Sequence, residues 1–225
     1  MSFFISFLLE PLSLLLYLTA ISLLYFKFDR SFRNRVLIGY YLVISILMAK
    51  TFRIPNIQIY NILYIFTSLA LGYYFYSLLR VRKIRFIIAI LSLMPLVYYI
   101  TNNTVFEGEV VFDSIGYVIS STGVLIMVFL YLRYILANVN EKPLILNFDF
   151  WFICSQLIYH LGAFGIFLTY SYFTKKILPS GYYSPENRLI LTYLWGVHNV
   201  LLFLSSLITC TGILWIAYSR KSSLS

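Results

Sequence analysis

Charge is what this sequence has least of. Only 11% of its 225 residues are Asp, Glu, Lys or Arg, where a soluble domain carries about 25%. Such a chain cannot cover a water-facing surface. That excludes a soluble enzyme, a disordered tail and a free nucleic-acid-binding domain. Acidic residues are the scarcer sign, 8 against 17 Lys and Arg. In a soluble protein the resulting +9 would point to nucleic acid. Here the basic residues gather in short connections between apolar runs, so they read as a membrane-topology signal and no nucleic-acid partner is expected. Cysteine is limited to Cys154 and Cys210. Both lie in apolar runs and read as small buried hydrophobes, not as a disulfide or a metal knuckle. Strict alternation of apolar and polar residues is missing, which argues against an outer-membrane barrel. A positive n-region is also missing before the first apolar run, so that run reads as a retained helix and not as a signal peptide.

What is present is hydrophobicity: 61% of residues are apolar, 20% aromatic, and mean hydropathy is +0.86. A bilayer core of about 30 Å takes about 20 apolar residues as a helix. Seven such runs follow one another, over about 3–26, 36–52, 58–79, 86–101, 114–137, 150–173 and 189–218. The second run is short and the fourth shorter still. The last is long enough to project beyond the bilayer. Backbone in lipid must satisfy its own hydrogen bonds, so the runs are predicted to be helices. The expected fold is an all-α integral membrane bundle of seven transmembrane helices forming a single domain, with no connection long enough to be a soluble domain.

Orientation follows from the connections. Lys27, Arg30, Arg33, Arg35, Arg80, Arg82, Lys83, Arg85, Arg133, Lys142, Arg220 and Lys221 fall on one side. Lys50, Arg53, Lys175, Lys176 and Arg188 fall on the other. The positive-inside rule then predicts the N-terminus outside and the C-terminus in the cytoplasm of a bacterial inner membrane. The connection bearing Glu107, Glu109 and Asp113 fits the outside.

Ionisable groups inside a membrane are costly, so each is a functional candidate. Glu10 lies about two turns into the first run, and His198 and Asn199 about two and a half turns into the seventh from the same side. His160 is near the middle of the sixth run. Helical spacing puts Gln156, His160 and Ala163 on one face. It also groups Trp195, His198, Asn199, Ser205, Ser206, Thr209 and Cys210 on another. Asn61, Tyr64, Ser68 and Gly72 form a third stripe, and Tyr117, Ser120, Ser121 and Gly123 a fourth. These faces are expected to point inward. Small and hydroxylated positions serve helix packing as readily as function. Glu10, Asn61, Gln156, His160, Trp195, His198 and Asn199 are the candidates for ligand binding or a proton relay.

Several chemistries fail on counts. A retinal protein needs a lysine in its last helix, and none lies between Leu189 and Tyr218. Seven-helix zinc hydrolases use more than the two histidines present here and an intramembrane Asp, so no metal or other cofactor is expected. No P-loop, GxGxxG or GxSxG motif occurs. Asn102-Asn103-Thr104 matches a glycosylation sequon, a frequent chance pattern. Glu10-Pro11-Leu12 and Met94-Pro95-Leu96 echo each other only weakly, so the three-plus-one-plus-three repeat of seven-helix sugar transporters is not expected.

The C-terminal third carries a likeness. Asp149-Phe150-Trp151-Phe152, then Leu157-Ile158-Tyr159-His160-Leu161-Gly162, Phe167-Leu168 and Leu194-Trp195-Gly196-Val197-His198-Asn199-Val200 occur in that order. In this order of segments the chain resembles a group of uncharacterised seven-helix membrane proteins common in Bacteroidetes. Genes of that group often lie beside two-component signalling genes. The resemblance therefore implies a signalling setting, with no activity or catalytic residue attached. The expectation is a small sensor or receptor subunit that passes an outer signal to a separate cytoplasmic signalling protein. A small-solute or proton-coupled transporter is the alternative, and a structural subunit of a membrane complex the next. An enzyme is the weaker expectation. The sequence sets neither ligand nor oligomeric state.

Overall fold

The computed structural model describes residues 2–27, 32–51, 57–105, 113–137, 143–177 and 185–222. Side chains are described over 8–25, 35–46, 62–102, 113–137, 143–173 and 189–219. Among the described residues there are seven α-helices: α1 (Ser2–Lys27), α2 (Phe32–Thr51), α3 (Ile57–Leu78), α4 (Arg82–Val105), α5 (Ser114–Ala137), α6 (Phe148–Ile177) and α7 (Pro185–Ser222). A short 3-10 turn, Leu144–Leu146, leads into α6. It was not foreseen from sequence.

Five helices, α1, α4, α5, α6 and α7, are long and apolar enough to cross a membrane. In α2 and α3 the described apolar stretches, Arg35–Ile46 and Ile62–Leu78, are shorter. The fourth run needs correction. Trimming it at its charges made it the shortest, yet α4 begins at Arg82 and offers an apolar span to Asn102. Long basic side chains at a helix end reach back to water and need not end the span. At about 1.5 Å per residue α7 is roughly 57 Å long, well beyond an apolar core of about 30 Å.

Helix contacts set the architecture. They run α1 to α2, α2 to α3, α3 to α5, α5 to α6, α6 to α7 and α7 back to α1. Six helices thus close a ring. The remaining helix, α4, touches only α3 and α5 among the described residues and lies outside the ring. Only 11% of its apolar span is buried, against 50% for α5. Two glycines seat α4. A Cβ on Gly72 of α3 would fall inside the Ser92 side chain, and one on Gly123 of α5 would sit 3.2 Å from the Leu91 carbonyl oxygen. Pro95 has no N–H for that carbonyl, so this is where α4 can come closest to a neighbour. The hydroxyl of Ser68 also donates to the Ser92 carbonyl at 3.2 Å.

Two caps start the helices that build the site. Asp113 Oδ1 accepts from the Gly116 N–H at 2.9 Å at the head of α5. Asn147 Oδ1 accepts from the Asp149 N–H at 2.9 Å at the head of α6. Each helix head is then tied to α3 by a tyrosine. The Tyr64 hydroxyl donates to Asp113 Oδ2 at 2.8 Å, and the Tyr74 hydroxyl donates to Asp149 Oδ1 at 2.6 Å. The start and the end of α3 thus mark opposite ends of the ring.

The Tyr74 end is solidly filled. Phe152 meets Tyr74 edge-on at 4.7 Å and Tyr41 edge-on at 6.2 Å, with Phe148 stacked at 6.1 Å. Leu71, Phe75, Leu79, Val124, Met127 and Ile213 surround them, all fully buried. The Thr209 and Ser155 hydroxyls join α7 to α6 at 2.9 Å. The Cys210 thiol donates to the Leu16 carbonyl at 3.0 Å, as a buried small residue. Cys154, expected to be buried, is only half-buried.

Candidate functional site

The other half of the ring is hollow. A cavity of about 60 Å³, counted as the space open to the centre of a water-sized sphere, lies among the six ring helices. That is room for several waters or a few heavy atoms of a solute. Glu10 and Tyr17 come from α1, Tyr40 and Ile44 from α2, and Leu63, Tyr64 and Thr67 from α3. Helix α5 gives Tyr117, Ser120 and Ser121; α6 gives Gln156, Tyr159, His160 and Phe167. Helix α7 completes the wall with Trp195, His198, Asn199, Leu202 and Ser205.

Six of the sequence candidates therefore share one cavity: Glu10, Gln156, His160, Trp195, His198 and Asn199. The side chain of the seventh, Asn61, lies outside the described residues. The described members of the four inward stripes are buried or half-buried, and the cavity draws on all four helices that bear them. The wall also takes in Tyr40 and Ile44 of α2, a helix on which no inward face was read from sequence.

The local geometry explains how each group is held. His160 and Gln156 are one turn apart on α6, so one inward face presents both. The His160 ring lies edge-on to Tyr159 at 4.9 Å, and its Nδ1 is 3.4 Å from Ser121 Oγ on α5. His198 stands in a box of rings, with centroids at 5.6 Å for Tyr159, 5.2 Å for Phe167 and 5.2 Å for Trp195. Ser120 is tied to α3 through the Tyr64 carbonyl at 3.1 Å.

Three buried polar atoms on this wall have no hydrogen-bond partner: Gln156 Oε1, His160 Nε2 and His198 Nδ1. Left dry, each costs roughly 1–3 kcal/mol. A fourth such atom, Ser45 Oγ, lies off the wall, and the three on it leave the cavity with open hydrogen-bonding capacity. Among the described residues no Lys or Arg lines it, and Glu10 is its one carboxyl. Two imidazoles and a carboxyl invite the question of a metal. Among the described residues no group of three or more His, Cys, Asp or Glu comes together to hold one.

Sequence reading missed most of the aromatic wall: Tyr17, Tyr40 and Tyr159 carry no period that separates a cavity wall from a core. It also took Asp113 for a loop acid. Its place directly before the Ser114 run was the available N-cap signal.

No protein-family model matches this chain, and neither a curated protein nor a solved structure matches it.

Proposed function

We propose that this chain is a seven-span sensor or receptor subunit of a bacterial inner membrane, binding its signal in the ring cavity. The N-terminus is outside, the C-terminus is cytoplasmic, and the cavity lies in the outer half. The observation that carries this reading is the cluster of three unpartnered buried polar atoms around one cavity. Supporting it, the far half of the ring is plugged by Tyr41, Tyr74, Phe75 and Phe152. A cavity blind at one end suits binding better than passage. The orientation is supported by charge. All six described basic side chains, Arg35, Arg80, Arg82, Lys83, Arg85 and Arg133, sit on helix ends or connections at the plugged end. That basic rim suits anionic lipid or a cytoplasmic partner. The resemblance to a group encoded beside two-component genes agrees with this.

The test is gentle purification from the native membrane, with mass spectrometry of what co-purifies. A stoichiometric kinase or regulator, retained by the Glu10→Gln and His198→Ala variants while the response to signal is lost, is the expected result. A partnerless protein that moves solute across liposomes would replace this reading with transport. A large complex insensitive to both substitutions would make the chain a structural subunit.

A further inference from the structure

Resting on the binding reading above, we propose that the cavity takes a small protonated amine. Four features of the wall converge on that chemistry. Among the described residues Glu10 is the one carboxyl facing the cavity, and no hydrogen bond or ion pair engages it there. A carboxylate at membrane depth is stabilised by a counter-charge; among the described residues no Lys or Arg lines the wall, and a protonated occupant supplies one.

The unpartnered atoms are of the matching kind. Gln156 Oε1 accepts and cannot donate. In the tautomer whose Nδ1–H donates to Ser121 Oγ, His160 Nε2 offers a lone pair. The His198 ring has its own open nitrogen at Nδ1. An ammonium brings several N–H donors to such a set, where an anion or an ether brings none.

The aromatic box supplies the third feature. Tyr159, Phe167 and Trp195 line the cavity beside His198, and aromatic rings exposed to such a space attract a desolvated cation. Size is the fourth. A space of about 60 Å³, counted for the centre of a water-sized sphere, suits a small occupant of this kind.

The test uses the full chain in zwitterionic nanodiscs and titration calorimetry with propylammonium, tetramethylammonium, propanol and propionate. Propylammonium is expected to bind saturably, and more tightly than tetramethylammonium, which has no N–H, by at least about tenfold. Propanol and propionate are expected to give no saturable heat. Glu10→Gln should weaken propylammonium by roughly thirtyfold or more. Glu10→Asp, which keeps the charge, should retain binding, and Gln156→Leu should cost about tenfold. These two variants decide the matter if Glu10→Gln fails to fold. Binding of propanol or propionate as tight as that of propylammonium would overturn the amine and leave a binding cavity standing. Heat from none of the four probes would also overturn the amine; the sensor reading would then stand or fall on its own co-purification test.

Discussion

The two halves of the ring are built from the same residue types and end in opposite states. In the plugged half every polar group discussed has a partner: Tyr74 reaches Asp149, Tyr41 reaches Thr209 at 3.4 Å, and Thr209 reaches Ser155. In the hollow half tyrosines and a tryptophan stand around open space, and three buried polar atoms are left over. The same helices pass through both. What differs is side-chain size at facing positions. Phe152, Tyr74 and Tyr41 meet at the centre of one half, whereas Ser120, Ser121, Thr67 and Ser205 recede from the centre of the other. Dense packing and open space are thereby divided between the two ends of the ring.

That division can be broken from the plugged side first. Phe152→Ala removes the ring on which Tyr41, Tyr74 and Phe148 converge. It should cost about 3–5 kcal/mol in reversible unfolding from mixed micelles. Leu202→Ala, on the cavity wall, enlarges a space that already exists and should cost under about 2 kcal/mol. Equal losses at both positions would mean that the cavity half is as tightly filled as the other.

Next in size are the polar ties. Tyr74→Phe removes the 2.6 Å hydrogen bond to the buried Asp149 carboxylate and should cost about 1.5–3 kcal/mol in the same assay. Tyr64→Phe acts on the more open Asp113, which Tyr98 also approaches at 3.4 Å, and should cost about half as much.

The glycines sharpen the contrast between contact and open surface. Gly72→Ala drives a methyl into Ser92 and should cost roughly 1–3 kcal/mol through displacement of α4. Gly165 and Gly196 have nothing within 4 Å of an added Cβ. Alanine at either should be neutral or stabilise by up to about 1 kcal/mol through helix propensity. A loss at Gly196 equal to that at Gly72 would show a further contact on that face of α7. The smallest effect is expected from Ser121→Ala. At 3.4 Å its tie to His160 is weak, and unfolding should shift by under about 0.5 kcal/mol.

Much of this was legible in the sequence because lipid imposes one periodic solution. Apolar run lengths gave helices near their observed bounds. Spacing of Gln156 and His160, and of Trp195, His198 and Asn199, gave the inward faces. What sequence could not give is which helices are neighbours. Run length says nothing about α4 standing outside the ring, because that depends on Gly72 and Gly123 meeting Ser92 and Leu91 across chain separations of twenty residues and more. Nor could it separate stripes that fill space from stripes that leave it. Ser68 and Ser120 look alike in sequence; one ties α3 to α4, and the other borders the cavity.

The most direct test compares two positions on one helix. Ser205 borders the cavity, and Cys210, five residues further along α7, is sealed in the plugged half against α1. In a Cys154→Ser background, right-side-out vesicles would be treated with a small, membrane-impermeant cationic thiosulfonate. The account predicts that Ser205→Cys is modified from the outer side while Cys210 is not, and that Glu10→Gln slows the reaction. Equal protection of both thiols, or modification from the cytoplasmic side alone, would contradict an outward-facing cavity above a closed floor.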